Sequence, residues 1–495
     1  MKLGDMLASS RSALVLLPWA VLVGIVLRTD PYGLSEEGAK ALLVAWSIGD
    51  AVASAAFTLG APDIRVILFL PLGFLWPGEV LAAKLLTLLA MGAAAIALYR
   101  WRRRGDQDEA ALLATGLLLI APLTVEGINA LSAAPFLLAL CGAATWINEK
   151  VVAEKGTIGG WFFFQLLACA AAVSFHPAGL AYPAMLIYTW SQAPRDQRPR
   201  EYFLIGIPVV VAVALAMRMG WAGIGWLQNP LPAAAAIFNS NGAELALPGA
   251  DWVAGAALIA VAVAVAVHER RRLFADLTGG SLLLALPFGA LAADRIWALL
   301  LFALLLYGGL PWLLRACAPL AGRGLMIQRG WLWLILLLVC TAFMRTNRGD
   351  FEAARNLRFS AEDQLIRDFA DGISTLRATE APAAAAGSTA PAAGAAPPAA
   401  PLGAALAAAP ILVASSWPAR TSIACKCDGL PLPPAASDPQ SQLAMMRGVS
   451  YVILGDSVDN RPLAFNFAQM GAQIEVLARE PGGVILHLKP PRAVL

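Results

Sequence analysis

Acidic side chains are concentrated in the segment that follows the first apolar run, residues 28–63. Ser35 is a residue type favoured at helix N-caps, and Glu36, Glu37 and a set of regularly spaced apolar residues follow it, so the sequence predicts a helix with acids in its first turn. Acids held beside a bilayer suit general-base or metal chemistry. The alternative is a capped amphipathic helix whose carboxylates are only solvated. The acids of this segment are Asp30, Glu36, Glu37, Asp50 and Asp63.

The overall composition indicates a polytopic membrane protein. Of its 495 residues, 59% are hydrophobic and 14% are charged, whereas a soluble domain usually carries about 25% charged residues. The formal net charge of +3 is too small to indicate a nucleic-acid partner.

Apolar runs that approach the ~20 residues needed to cross a bilayer recur along residues 1–344. We predict a polytopic α-helical domain with about 11–13 spans. The apolar run at the N-terminus lacks a clear cleavage site, and we interpret it as the first span. Whether the run 64–76 crosses is left open by the sequence.

Basic clusters predict the orientation of these spans. Arginine or lysine groups follow alternate apolar runs, for example Arg102–Arg104 and Arg270–Arg272, and such clusters are typical of cytoplasmic loops. If residues 28–79 make an even number of crossings, the acidic loop 28–63, Asp294 with Arg295, and everything after Met344 lie on the extracytoplasmic face.

The composition changes after residue 344. Residues 345–378 predict an amphipathic helical connector, and residues 379–410, which are mostly Ala, Pro and Gly, predict a flexible linker. Residues 411–495 alternate strand and helix patterns and predict a small α/β domain.

Few other side chains suggest chemistry. The sequence contains no nucleotide-binding or nucleophile-elbow motif. Glu126 lies between two apolar runs, and His176 lies at a predicted span boundary, so each is a candidate for a cavity. Cys425 and Cys427 lie in the predicted extracytoplasmic domain, where a disulfide is favoured over a metal site because no further ligands are near. The metal content of the protein is left unknown.

Three sequence features together resemble a known family: the acidic pair in SEEGAKALL, then GAPDIRVILFLPLGFLWPGEVLAAKLL, and SFHPAGLAYPAMLIY among the later apolar runs. The layout is similar to the GT-C superfamily of polyprenyl-phosphate-sugar-dependent glycosyltransferases, in the branch of the aminoarabinose transferases and protein mannosyltransferases. Glu36 and Glu37 match the family's acidic pair, and Pro62 matches its proline. The usual first acid of the pair is Asp, so Asp30 takes this position if the alignment slips.

The resemblance implies a bacterial inner-membrane enzyme with a lipid-linked sugar as donor and an unknown glycan, lipid or protein as acceptor. One of Glu36, Asp30 or Glu37 would act as the base, with Glu36 favoured by motif position. Cations near the bilayer surface would stabilise the departing phosphate, and a divalent cation is left open. The candidate phosphate ligands are Lys40, Arg65, Lys84, Arg295 and Arg345.

Two other classes of function are weighed against the enzyme. The first is a non-catalytic membrane subunit or scaffold of the same fold that docks a membrane-protein partner through its C-terminal domain. The second is a transporter, which is disfavoured because the apolar runs contain few charges and show no inverted repeat.

Overall fold

A computed structural model describes residues 32–47, 64–103, 108–154, 158–217, 230–240, 250–292, 294–317, 334, 337–349, 360–386 and 411–489. These residues form two compact units. The helical unit consists of α2 up to Leu68 and of α3 to α15, and the mixed unit consists of α1, the rest of α2, and everything from α16 onward. The first helices are α1 Glu36–Ser47, α2 Arg65–Leu75, α3 Val80–Arg103, α4 Asp108–Ile120 and α5 Pro122–Asn129.

The remaining helices of the helical unit follow in chain order. They are α6 Ala134–Ala153, α7 Gly160–Phe175, α8 Ala181–Gln192, α9 Arg198–Met217, α10 Pro230–Ser240, α11 Ala250–Phe274, α12 Leu277–Gly289, α13 Arg295–Leu304, α14 Leu310–Cys317 and α15 337–349. A 3₁₀ turn, Pro177–Leu180, joins α7 to α8, and a π-helical turn, Leu305–Gly309, joins α13 to α14.

Four helical segments in the described ranges are long and apolar enough to cross a membrane, and a fifth forms if the bent pair α4 and α5 is one span. The chain is therefore a multi-pass membrane protein. The four are Val80–Arg103, Ala134–Ala153, Trp252–Phe274 and Arg295–Leu313. Several of the predicted runs form shorter helices, such as α7, with 16 residues, and α12, with 13. The count of about 11–13 spans stays a prediction, because it includes residues outside the described ranges.

Helix α2 is too short to cross a bilayer. Its 11 residues span about 16 Å at the rise of an α-helix, roughly half of the hydrocarbon thickness. Its side chains Ile67, Phe74 and Leu75 are exposed although they are apolar. Of the arrangements that the sequence left open for residues 64–76, the length of α2 favours a re-entrant or surface-lying helix.

The mixed unit contains a five-stranded sheet in the order β2-β1-β3-β5-β4. Strands β1, β2 and β3 are parallel, and β5 is antiparallel to both of its neighbours. His487 lies on β5, an interior strand of the sheet. In chain order these elements are β1 Leu412–Ser415, α17 Pro418–Cys425, β2 Asp428–Pro431, α18 Pro439–Met445, β3 Tyr451–Gly455, α19 Arg461–Gln469, β4 Ile474–Glu480 and β5 Gly483–Leu488.

Alternating side chains of the strands build an apolar layer on each face of this sheet. One layer joins Ala414, Val452 and Leu486 to Leu463 and Phe467 of α19. The other joins the adjacent strand positions to α16 and α17: Leu365, Phe369, Ile373, Val413, Cys425, Ile453 and Ile485.

Helix α16, Ala361–Ala386, is part of this core rather than a free connector. Leu365, Phe369 and Ile373 recur every four residues and are buried, as expected for one face of an amphipathic helix. The helix also extends past residue 378 into the predicted linker, because alanine has the highest helix propensity. The rest of that linker, residues 387–410, lies outside the described residues.

Candidate active site

Four ionisable side chains meet in the helical unit where a candidate span begins. Asp294 and Arg295 start the apolar segment Arg295–Leu313, His176 follows α7, and Glu126 lies on α5. The sequence had singled out three of them separately, Glu126, His176 and Arg295. The structure brings them together with Asp294, and we call this set the span-end cluster.

Asp294 holds the start of its helix. Its carboxylate accepts the backbone N–H groups of Ile296 at 2.8 Å and of Trp297 at 3.0 Å, as an N-cap residue does. The pKa of Asp294 lies below its usual value. Burial raises this pKa, but the hydrogen bond from His176 and the two backbone N–H donors outweigh the effect of burial.

His176 is buried and has a defined orientation. Its Nδ1 accepts the backbone N–H of Ala178 at 3.1 Å, which assigns the proton to Nε2. Nε2 lies 3.1 Å from the carbonyl oxygen of Ala292 and 3.4 Å from Oδ1 of Asp294. The 3₁₀ turn after His176 approaches α7 so closely that a Cβ on Gly179 would lie 1.8 Å from the Ala172 carbonyl oxygen. His176 therefore positions Asp294 from a rigid turn.

Arg295 and Glu126 form an ion pair. The side chain of Arg295 is 69% exposed and that of Glu126 is 37% exposed, so both charges remain accessible. In the cluster, the cation therefore faces outward, while His176 is buried.

Arg65 supports the helix that carries Glu126. Its Nη1 donates to the carbonyl oxygen of Leu131 at 2.6 Å. Leu131 has a φ of 55°, a left-handed conformation that is unfavourable for a branched side chain. Because Arg65 is buried and bonded there, it stabilises this turn at the end of α5, a use that differs from the predicted contact with a lipid phosphate.

The other predicted phosphate ligands lie apart from the span-end cluster in sequence and environment. Lys84 is fully buried in α3, and Arg345 is exposed on α15. Lys40 lies on α1, in the mixed unit, and is half-buried. Of the predicted phosphate ligands, Arg295 is the one in the span-end cluster, and Lys40 lies one helical turn from Glu36 on α1.

Glu36, which motif position favoured as the catalytic base, caps the start of helix α17 in the mixed unit. Its carboxylate accepts the backbone N–H groups of Ala419 at 2.7 Å and of Arg420 at 3.2 Å, at the start of α17. The pKa of Glu36 is raised. Burial is the largest cause, and it outweighs the lowering by the two N–H donors and by the charges of Arg420 and Lys40. Glu37 is exposed, and Asp30 lies outside the described residues.

Arg420 belongs to the same contact between Glu36 and the start of α17, and its role was not predicted from the sequence. Its guanidinium donates to Glu362 at 2.9 Å and to Asp363 at 2.6 Å, and it lies 5.6 Å from the ring centre of Trp417. Asp363 also accepts the backbone N–H of Gly33 at 3.2 Å. Burial lowers the pKa of Arg420, but the two carboxylates more than offset this, so the pKa is raised.

The two cysteines of the mixed unit are paired. A disulfide joins Cys425, the last residue of α17, to Cys427. Lys426 between them adopts a left-handed conformation with a φ of 51°. In the described part of the chain, no three His, Cys, Asp or Glu side chains are grouped in a way that could hold a metal ion.

Comparison with known proteins gives a distant likeness only. No family model matches the chain, and no curated protein is similar to it. Among solved structures, it is similar to the archaeal oligosaccharyltransferase AglB from Archaeoglobus fulgidus, in complex with an inhibitory peptide and a dolichol-phosphate, at 12% identity and a TM-score of 0.49. The match covers 91% of this chain and 70% of that one. So weak a likeness carries no functional argument.

Proposed function

We propose that the protein is a membrane glycosyltransferase of the GT-C type, which moves a sugar from a polyprenyl-phosphate donor to an extracytoplasmic acceptor. The observation that carries this proposal is the span-end cluster, in which an accessible guanidinium lies at the start of an apolar segment beside a buried His–Asp pair. Ionisable groups at membrane depth are typically functional. The resemblance of the first 190 residues to the GT-C layout supports the same conclusion.

Arg295 is the proposed ligand of the donor phosphate. A guanidinium binds phosphate oxygens through two parallel hydrogen bonds, and the N-terminal end of a helix favours negative charge. Glu126, which pairs with Arg295, would be displaced by that phosphate. The position of Arg295 at the end of an apolar segment suits a ligand with a charged head and an apolar tail.

The chemistry requires a base and a stabilised leaving group. The acceptor hydroxyl or amine attacks the anomeric carbon, and the bond from this carbon to the phosphate oxygen breaks. A carboxylate takes the acceptor proton, and Arg295 stabilises the negative charge of the departing polyprenyl phosphate.

We place the base at Asp30 in preference to Glu36. Both carboxylate oxygens of Glu36 accept backbone N–H groups at the start of α17, so this side chain already has a structural use. Asp30 has the residue type that the family motif usually carries first. Glu37, exposed in the first turn of α1, is the second choice.

The test uses the purified full chain in nanodiscs and a panel of radiolabelled polyprenyl-phosphate sugars, with and without magnesium. We expect repeated release of polyprenyl phosphate from at least one donor, and this release should require an acceptor. Absence of release with every donor would contradict the proposal.

The second candidate is a non-catalytic subunit that docks a membrane-protein partner. The observation in its favour is that Glu36, the acid at the motif position, contributes a structural contact. This candidate becomes the better one if no donor is turned over and Arg295→Gln leaves the cellular phenotype of the wild type unchanged.

A further inference from the structure

The topology of the mixed unit creates a crevice at one edge of its sheet. Strand β1 lies between β2 and β3. The connection after β1 leads to β2 on one side, and the connection after β2 crosses back over β1 to β3 on the other side. The two connections therefore diverge between β1 and β3. In open α/β sheets, ligands bind outside the carboxyl ends of the strands at such a switch point.

A cavity of about 600 Å³ lies at this position. Its volume falls within the range of about 300–1,000 Å³ that is typical of small-molecule sites. The loops after β1 and β3 supply its polar lining, together with Glu362 at the start of α16: Ser416, Trp417, Asp456, Ser457, Asp459 and Asn460.

A network of hydrogen bonds fixes the wall between the two strands. Ser416 Oγ accepts the backbone N–H of Gly455 at 2.8 Å and is 3.1 Å from Nδ2 of Asn460. The same Nδ2 donates to the Gly455 carbonyl oxygen at 2.8 Å. A Cβ on Gly455 would lie 2.6 Å from the Trp417 ring, so glycine is needed for the indole to pack there. The cavity is thus formed before any ligand binds.

Three side chains of this lining are available to a ligand. Asp456, Ser457 and Asp459 are exposed, and within the described ranges no hydrogen bond or ion pair engages their side chains. Ser457 does not cap the 3₁₀ turn that follows it. These groups accept hydrogen bonds at the mouth of a cavity that also contains an indole ring.

The chemistry of the lining selects the class of ligand. Glu362 is paired with Arg420, but the carboxylates of Asp456 and Asp459, unpaired in the described ranges, make the cavity negative, which disfavours phosphate or carboxylate ligands. Carboxylates accept hydrogen bonds from hydroxyl groups, and an aromatic ring packs against the apolar C–H face of a sugar. We propose that the cavity binds an uncharged saccharide. This inference concerns binding and does not depend on the proposed transfer reaction.

Saturation-transfer-difference NMR with the full chain in phosphatidylcholine nanodiscs tests this inference. Sugar-based detergents are avoided because their headgroups are themselves candidate ligands. The probes are the methyl glycosides of glucose, galactose, mannose, N-acetylglucosamine and arabinose, with choline and inorganic phosphate as charged controls.

Asp456→Ala and Asp459→Ala are the test variants, since both side chains are exposed and without partners in the described structure. Each should weaken binding of the preferred glycoside by about tenfold, because a hydrogen bond to a charged group is lost. Asp428→Ala is the matched control, because Asp428 begins β2 at the opposite end of the parallel strands. It should leave binding unchanged.

Three results would overturn the inference. The first is that no glycoside binds, and the second is that a glycoside binds equally to wild type and to both test variants. The third is that only choline or phosphate binds and that the test variants abolish this binding. Loss of transfer activity with binding intact would bear on the proposed function alone.

Discussion

The carboxylate of Glu36 accepts the backbone N–H of Arg420 at 3.2 Å, although 384 positions separate the two residues in the chain. The same carboxylate holds the N–H of Ala419, so an acid from the segment after the first apolar run acts as the cap of a helix in the C-terminal α/β fold. Helix α1 of the acid-rich first loop and the C-terminal α/β fold, which the sequence suggested as separate segments, therefore share one compact unit.

The first prediction concerns this cap. Glu36→Ala should speed hydrogen exchange of the amides in α17 by about 2–30-fold, which corresponds to a cap energy of about 0.5–2 kcal/mol. Glu36→Gln should have a smaller effect, since its amide oxygen still accepts one of the two N–H groups. Exchange measured by mass spectrometry on the full chain is the readout. Glu37→Gln, an exposed neighbour, is the control, and an equal effect of Glu37→Gln would exclude a specific cap.

The second prediction is the pH dependence of the same contact. Because the pKa of Glu36 is raised above 4.5 in the folded protein, the folded state binds this proton more tightly than the unfolded state does. The contribution of Glu36 to the free energy of unfolding is fully present below the unfolded pKa, and it falls as the pH rises through the folded pKa. The protection of α17 in wild type relative to Glu36→Gln should therefore be greater at about pH 4 than at about pH 7. A difference that grows with pH would contradict the raised pKa.

The third prediction concerns the buried ion pair of Arg420 and Asp363, in which Nη2 of Arg420 lies 2.6 Å from Oδ1 of Asp363. Arg420→Ala leaves a buried carboxylate without its cation, and such changes cost about 3–5 kcal/mol. We expect the mixed unit to become sensitive to protease at lower urea concentration. Arg447→Ala, a substitution at an exposed arginine, should change the free energy of unfolding by only about 0.5 kcal/mol. Equal effects of the two variants would show that the Arg420 pair is not a special stabilising contact.

Local patterns predicted much of the mixed unit. The continuous apolar run at 450–455 predicts a strand, and the segment 461–470, with a proline near its start, predicts a helix. These elements are β3 and α19. The helix α17 was missed, although Pro418 at its first position was a usable signal. The amphipathic pattern of α16 was recognised, but periodicity cannot identify the surface against which a helix packs.

The candidate site was less predictable. Glu126 and His176 were predicted as cavity candidates and Arg295 as a phosphate ligand, but their meeting depends on contacts between residues up to 169 positions apart. The role of Arg420 was not predicted, since a single arginine beside a tryptophan is common on protein surfaces. Motif position favoured Glu36, whereas its structural use depends on a domain at the other end of the chain.

The fourth prediction concerns orientation. Reporter fusions after Arg104 and after Asp350 should report opposite compartments, with the first in the cytoplasm, because basic clusters are retained on that side. Alkaline phosphatase, active only outside the cytoplasm, and green fluorescent protein, fluorescent only inside, give complementary readouts. If both fusions report one compartment, the predicted number of crossings between them is wrong.

The most direct test of the account compares Asp30→Asn, Arg295→Gln, Glu36→Gln and Arg345→Gln for the rate of polyprenyl-phosphate release, normalised to folded protein. Asp30→Asn should lower the rate by about 10²–10⁴-fold, as expected for loss of a general base, and Arg295→Gln by about 10²–10³-fold through loss of charge stabilisation. Arg345→Gln should retain the wild-type rate, and Glu36→Gln should remain within about tenfold of it, because its effect is on stability. Wild-type rates for Asp30→Asn and Arg295→Gln, with Glu36→Gln inactive but folded, would contradict the account and return the role of base to Glu36.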